Sequence, residues 1–276
     1  MAMTVNTNTA ANRAMSQLSK TGRALSGSFQ RISSGLRISK ASDDAAGLGV
    51  AENLRVAAKS AKVAQRNVGD GISMVSVAEG ASAEVANILG RMRELAVQSS
   101  SETLGDDERA YVQDEFASLS AEVDRISNVT EFNGKKLTDG SSATVDVQVG
   151  IHATADDQVS ITLGDLTAAT LGVDTGSVDM SLSSGASSAI SVIDAAISMV
   201  SGYRSDYGAA ENRLGAALSN LESFTENTMA AESAIRDADF GYETAEMSKN
   251  QILQQAGTAI LAQAKIVNQS ALQLIQ

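Results

Sequence analysis

The two ends of the chain carry the same apolar repeat, and no other feature constrains its fold as tightly. Leu253, Ile260, Val267 and Leu274 recur every seven residues, with Gly257, Ala264 and Ala271 four residues after the first three. Near the start, Ala11, Leu18, Leu25 and Ile32 keep that spacing, with Met15, Gly22 and Phe29 on the same face. A seven-residue apolar period marks helices that pack along a seam. Chain ends are ordinarily polar and frayed, so apolar stripes there require a cover. The expectation is a pair of terminal helices that pack on each other and then on neighbouring molecules. Leu18, Leu25, Ile32, Leu253, Ile260, Val267 and Leu274 form the expected seam.

The interior follows the same rule. Residues 4–33 read as a first helix and 34–46 as a polar, turn-rich connector. From 47 to 98 one heptad frame is unbroken. Leu54, Ala61, Val68, Val75, Ser82, Leu89 and Ala96 take one core position, and Ala57, Ala64, Gly71, Ala78, Val85 and Met92 the other. A helix of that span is roughly 75 Å long. A shorter helix is predicted over 106–128, opened by Asp106, Asp107 and Glu108, whose charges favour a helix N-terminus. Val112, Phe116, Leu119, Val123 and Ile126 make its apolar stripe.

The period then falls to two. Val145, Val147, Val149 and Ile151 alternate with polar residues, as do Val159, Ile161 and Leu163, with Asp156-Asp157 between them, which predicts a β-hairpin. Residues 164–188 are rich in Gly, Ser, Thr and Asp and read as irregular, exposed chain, where an insertion near Gly185 is expected to be tolerated. A second long helix is predicted over 187–234. Ile193, Val200, Tyr207, Leu214, Leu221 and Ile235 share one position, and Ala196, Tyr203, Ala210, Ala217, Phe224 and Ala231 the other, with Thr228 the polar entry. The last helix is predicted over 242–275.

This order is nearly a palindrome, as in a chain that runs out, turns at the hairpin and returns. The predicted fold class is mainly α: an antiparallel long-helix bundle or coiled-coil rod with a small β-hairpin region, its N- and C-terminal helices paired at one end. Residues 1–46 with 235–276 form the terminal helices and connector, 47–140 with 187–234 the helical rod, and 141–186 the hairpin and surface region.

Composition narrows the function. The chain has no cysteine, which excludes disulfides, thiolate metal sites and a cysteine nucleophile. It has no proline, so no helix carries a forced kink. His152 is the single histidine and falls in the predicted hairpin turn, where it reads as a solvent-exposed turn residue rather than a catalytic base, and one histidine cannot form a zinc-peptidase helix. Asp43-Asp44 and Asp106-Asp107 read as helix caps rather than cation sites. No enzyme activity, metal or cofactor is expected. Residues 1–66 hold ten Lys/Arg against Asp43, Asp44 and Glu52, a local excess of +7 in a chain of net charge −12. Aromatics are too sparse for base stacking, so no nucleic-acid partner is expected, and the basic segment is read as facing acidic neighbours in an assembly. No run of ~20 apolar residues is found, so no membrane insertion is expected. The first residues lack the apolar core of a secretory signal.

Several segments carry a more specific resemblance. Residues 31–50, RISSGLRISKASDDAAGLGV, and 249–264, KNQILQQAGTAILAQA, are similar to signature segments of bacterial flagellin. So are VNTNTAANRA at 5–14, GRMRELAVQS at 90–99 and EFNGKKLTDG at 131–140. The resemblance spans about 1–140 and 190–276. It implies terminal helices lining the inner tube of a filament, long helices forming an outer tube, and a short variable region at 140–188. It also implies a homopolymer secreted to the extracellular flagellum for swimming motility. Export unfolded through the flagellar type III apparatus would follow, with a chaperone on the C-terminal helix and filament-cap and hook-junction proteins as further partners.

By the same resemblance, Arg91, Leu95 and Glu115 match a segment recognised by a Toll-like host receptor, although Gly90 stands where many flagellins have Gln. Asn268 replaces a proline common near the end of the last helix. Asn128 and Asn268 open N-glycosylation patterns, but O-glycosylation is better expected on Ser or Thr within 140–188. A hook-filament junction protein and a signalling coiled-coil rod are the alternatives. The continuous landmarks favour flagellin over the first, and the strands at 143–163 argue against the second.

Overall fold

The structure, a computed structural model, describes residues 8–273, with side chains through Ala264. The chain divides into two compact units. One draws on residues up to Ala57 and from Glu226 onward, and the other is Ala58–Thr225. The elements are α1 (Thr9–Ser34), α2 (Ala45–Ser99), α3 (Asp106–Val129), β1 (Glu131–Phe132), β2 (Lys135–Lys136), β3 (Thr144–Gln148), β4 (Gln158–Thr162), α4 (Ala168–Leu171), α5 (Ser183–Arg236) and α6 (Phe240–Gln273). The predicted class is right: long helices dominate, and the strands form two small antiparallel pairs.

In the Ala58–Thr225 unit the heptad frame does what its period demands. Every frame residue of α2 from Ala61 to Ala96 is buried, including Gly71 and Ser82. The α5 stripe Ile193, Val200, Tyr207 and Leu214 is fully covered. The two helices run antiparallel, in a register marked by Glu79–Arg204 at 2.8 Å and Arg93–Asp194 at 2.6 Å. Ser82 satisfies its buried hydroxyl by donating to the Ala78 carbonyl one turn back, at 2.8 Å. By length and hydropathy alone α5 could cross a membrane, with a window of mean hydropathy 1.3, of which 28% is buried. Its Ile193, Val200, Tyr207 and Leu214 pack into the cores of this unit, while Met199 stays exposed.

β3 and β4 pair Val145 with Ile161 and Val147 with Val159, and the inward residues of this hairpin close the core between α2 and α5. Gly71 lets the hairpin pack closely here: a Cβ would sit 3.1 Å from a Val147 methyl, and the hairpin would have to give by a few tenths of an ångström. Tyr207 is fully buried, and its oxygen accepts the Gly164 N–H at 2.9 Å. The short hairpin β1–β2 was not foreseen. It turns at Asn133-Gly134, both at positive φ, which is the chemistry that a two-residue hairpin turn requires.

The expectation for 164–188 is overturned. Leu166, Ala168, Leu171, Val173, Val178 and Met180 are buried in the core shared by α2, α3 and α5. Polar side chains cap the buried backbone that comes with them. Asp124 accepts from Ala168 N at 2.8 Å, Gln113 accepts from Met180 N at 2.9 Å, and Ser99 donates to the Met180 carbonyl at 2.8 Å. Gly185 is also a poor insertion point, since a side chain there would run into the Asp179 carbonyl. The proposed separate region 141–186 therefore belongs to the unit it was meant to cap. Unit boundaries fall at 57/58 and 225/226 rather than at 46/47 and 234/235. Leu166→Ala should accordingly lower the unfolding free energy by about 2–4 kcal/mol, read by urea denaturation. A short epitope inserted between the exposed Ala153 and Thr154 should leave the midpoint unchanged.

Candidate assembly surface

The terminal unit is built on α1 and α6, whose backbones lie close together more extensively than those of any other helix pair among the described residues. Asn8 caps α1 by accepting from Ala11 N at 2.9 Å, and its amide donates to the Ala264 carbonyl at 3.0 Å. Further along, Leu18 lies against Gly257, where a Cβ would come within 3.1 Å of a Leu18 methyl. At the far end Arg31 grips Glu243 bidentately, at 2.6 and 3.0 Å. These pairs make the helices antiparallel, as expected. The connectors pair as well: Arg37 N donates to the Arg236 carbonyl at 2.7 Å and Ala238 N to the Gly35 carbonyl at 2.9 Å.

The seam differs from the one expected. Thr21, Ser28, Glu243 and Asn250 are buried in it, and Leu18, Leu25 and Ile32 are half-buried beside them. Leu253 and Ile260 do not face into the seam. They are 46% and 60% exposed and rim a groove of about 480 Å3 shared with Ala10, Ala14 and Leu18. Met15 and Phe29, placed on the seam by the sequence reading, are also exposed. The side chain of Val267, and all of Leu274, lie outside the described residues. Small side chains let two helices come close, and a close pair leaves no room for the large apolar residues on α6. The true seam was hidden because its own seven-residue repeats, Ala14-Thr21-Ser28 and Glu243-Asn250-Gly257-Ala264, are largely small or polar.

Consequently this unit leaves Met15, Phe29, Phe240, Tyr242, Ile252, Leu253 and Ile260 exposed. Leu253 and Ile260 share one groove with Leu18, Ala10 and Ala14, and that apolar groove is the candidate interaction site. Among the described residues no cluster of three His, Asp or Glu side chains could hold a metal ion. The second predicted recognition site is partly assembled. Arg91 bonds Glu115 at 2.8 Å and Glu94 at 2.9 Å, all on the surface. Leu95 is not available beside them, because it is 1% exposed and packs in the core. Of the Ser and Thr within 140–188, Thr154, Thr175 and Ser177 are among those open to solvent.

Similarity to known proteins establishes the family. Residues 5–143 match the profile of the bacterial flagellin N-terminal helical region, and 190–275 that of the bacterial flagellin C-terminal helical region. The chain belongs to the bacterial flagellin family. It is 44% identical over 248 residues to the flagellin of Halalkalibacterium halodurans, covering 90% of each chain. It is 38% identical over 286 residues to the flagellar filament 31.3 kDa core protein of Treponema maltophilum, covering 99% of this chain and all of that one. The crystal structure of Bacillus cereus flagellin superimposes with a TM-score of 0.50 at 27% identity, over 56% of this chain and 88% of that one. This flagellin is a structural subunit of the flagellar filament, an extracellular self-polymer.

Arg31 and Glu243 hold each other charged. The hydrogen bonds from Arg31 keep the Glu243 carboxylate below its usual range despite burial, and those same bonds raise Arg31. A lowered folded value means that the contribution of Glu243 is complete above its unfolded value and lost as pH falls through the folded one. Arg31 is 36% exposed, so water screens part of the pair. Glu243→Gln should cost the terminal unit about 1–2 kcal/mol at neutral pH. It should also flatten the acid limb of a pH series in which limited proteolysis of α1 reports separation from α6.

Proposed function

We propose that α1 and α6 are the polymerising element of this flagellin, lining the inner tube of the filament, while the Ala58–Thr225 unit builds the outer tube. The observation that carries this reading is the exposed apolar surface of the terminal unit, with Leu253 and Ile260 at its groove. Left in water those side chains gain nothing; covered by further copies, each fully buried Leu or Ile contributes about 1.5–3 kcal/mol. The same apolar α6 supports binding by an export chaperone that shields it before assembly. Passage unfolded through the flagellar type III apparatus is consistent with a chain without disulfides. Filament-cap and hook-junction proteins then contact the growing and anchored ends, and the assembled filament drives swimming.

Exposure makes the test cleaner than burial would. Ile260→Asp alters a solvent-facing position in the monomer, where surface substitutions shift stability by only about 0.5 kcal/mol. In the filament the carboxylate would be buried without a partner, at a cost of several kcal/mol per subunit. Ile260→Asp should therefore give monomer with wild-type helical circular dichroism that does not elongate filament seeds. Normal elongation would remove α6 from the inner tube.

Monomer recognition by a Toll-like receptor rests on the exposed Arg91–Glu115 pair. Arg91→Ala should weaken a receptor-reporter response at unchanged unfolding midpoint, whereas Leu95→Ala should lower the midpoint. A full response from Arg91→Ala would exclude this pair as the contact.

A further inference from the structure

Two exposed stripes of the Ala58–Thr225 unit carry opposite charge at the same spacing. On α2, Lys59, Lys62 and Arg66 surround Val63, which is 45% exposed. On α3, Asp107 and Asp114 flank Tyr111, which is 73% exposed, the highest value among the large hydrophobic side chains of the described residues. In each case the outer charges stand seven residues apart with the apolar residue four after the first. Each stripe is therefore about 10 Å long on one helical face. None of these five charged side chains has an ion-pair partner within 4.0 Å among the described residues, although twelve such pairs are recorded there.

The two stripes cannot meet within one chain. Val63 and Ser99, which precedes α3, lie on the same continuous helix, and the 36 residues between them span about 54 Å. We infer that the Lys59–Val63–Arg66 stripe of α2 is the docking surface for the Asp107–Tyr111–Asp114 stripe of a second copy of this chain, an inference that rests on the filament-subunit reading. Charge complementarity identifies the occupant: the first 66 residues carry +7, and the rest of the chain is the acidic part of a molecule of net charge −12. Tyr111 over Val63 excludes water from the centre, and the flanking charges set register and speed encounter. Used head to tail, with the two stripes of each copy engaged by different neighbours, the contact is heterologous, and its repetition gives a ring or an open polymer rather than a closed dimer.

The absence of cysteine makes the test direct. Val63→Cys and Tyr111→Cys variants are prepared separately, mixed, elongated on wild-type seeds and treated with a short dimaleimide. A cross-linked dimer is expected in the mixed filaments only, absent from mixed monomers and from filaments of either variant alone. In parallel, the double variant Lys59→Glu, Arg66→Glu should elongate roughly tenfold more slowly at low salt, with the deficit shrinking at high salt. Asp107→Lys, Asp114→Lys protein added to it should restore the rate. Normal mixed filaments without the dimer, or a dimer in Val63→Cys filaments alone, would overturn this docking surface and leave the filament role standing. Failure of wild-type protein to elongate seeds would overturn the filament role and this surface with it.

Discussion

A helix of 55 residues can carry one apolar stripe along its length only if something covers that stripe at every turn. The need for cover organises this chain. Within Ala58–Thr225 the cover is internal: α5 lies antiparallel to α2, α3 and the β3–β4 hairpin fill the flanks, and the folded segment 166–180 closes the remaining gap. In the terminal unit α1 and α6 cover each other with small and polar residues, and their large apolar residues are left outside. A protein with a closed core in one unit and an unmet demand for burial in the other is suited to be a polymer subunit.

Polar groups decide how closely the helices can pack. The α1–α6 seam contains Thr21, Ser28, Glu243 and Asn250, residues ordinarily found in water. They are tolerable there because the charge is paired: Arg31 reaches Glu243 with two hydrogen bonds. Breaking a buried pair is costly, whereas its net contribution to stability is small. The pair therefore serves to hold the register of α1 against α6 more than to strengthen it. In the other unit, Gln113, Asp124, Ser99 and the reciprocal bonds between Ser127 and Thr138 satisfy the backbone of chain that has no ladder of its own. Without those partners the buried loop would hold orphaned amides.

Charge is segregated as burial is. Most basic residues of the first 66 lie on exposed helix faces without an ion-pair partner among the described residues, and the acidic excess lies elsewhere in the chain. Intramolecular pairs such as Glu79–Arg204 and Arg93–Asp194 set the α2–α5 register. The unpaired charges are then free to act between molecules, at the range and with the salt sensitivity that exposed charges have.

Long-range periodicity was legible because it follows from helix geometry alone. The extents of α2, α3 and the β3–β4 hairpin, and the buried frame from Ala61 to Ala96, follow from repeats of seven, about 3.6 and two, which any solvent-excluding partner must respect. The family motifs were legible for the separate reason that they are runs of identical letters. What only the tertiary structure decided was which of two competing stripes closes first. On α6 the apolar stripe of Leu253 and Ile260 was the stronger pattern, yet the small stripe through Gly257 and Asn250 won the intramolecular seam. A helix pair gains most where backbones approach most closely, and hydropathy does not record that distance. Segment 166–180 escaped for a related reason. Its buried residues have no period, and their placement depends on Gln113, Asp124 and Ser99, side chains remote in sequence that only the folded chain brings to them.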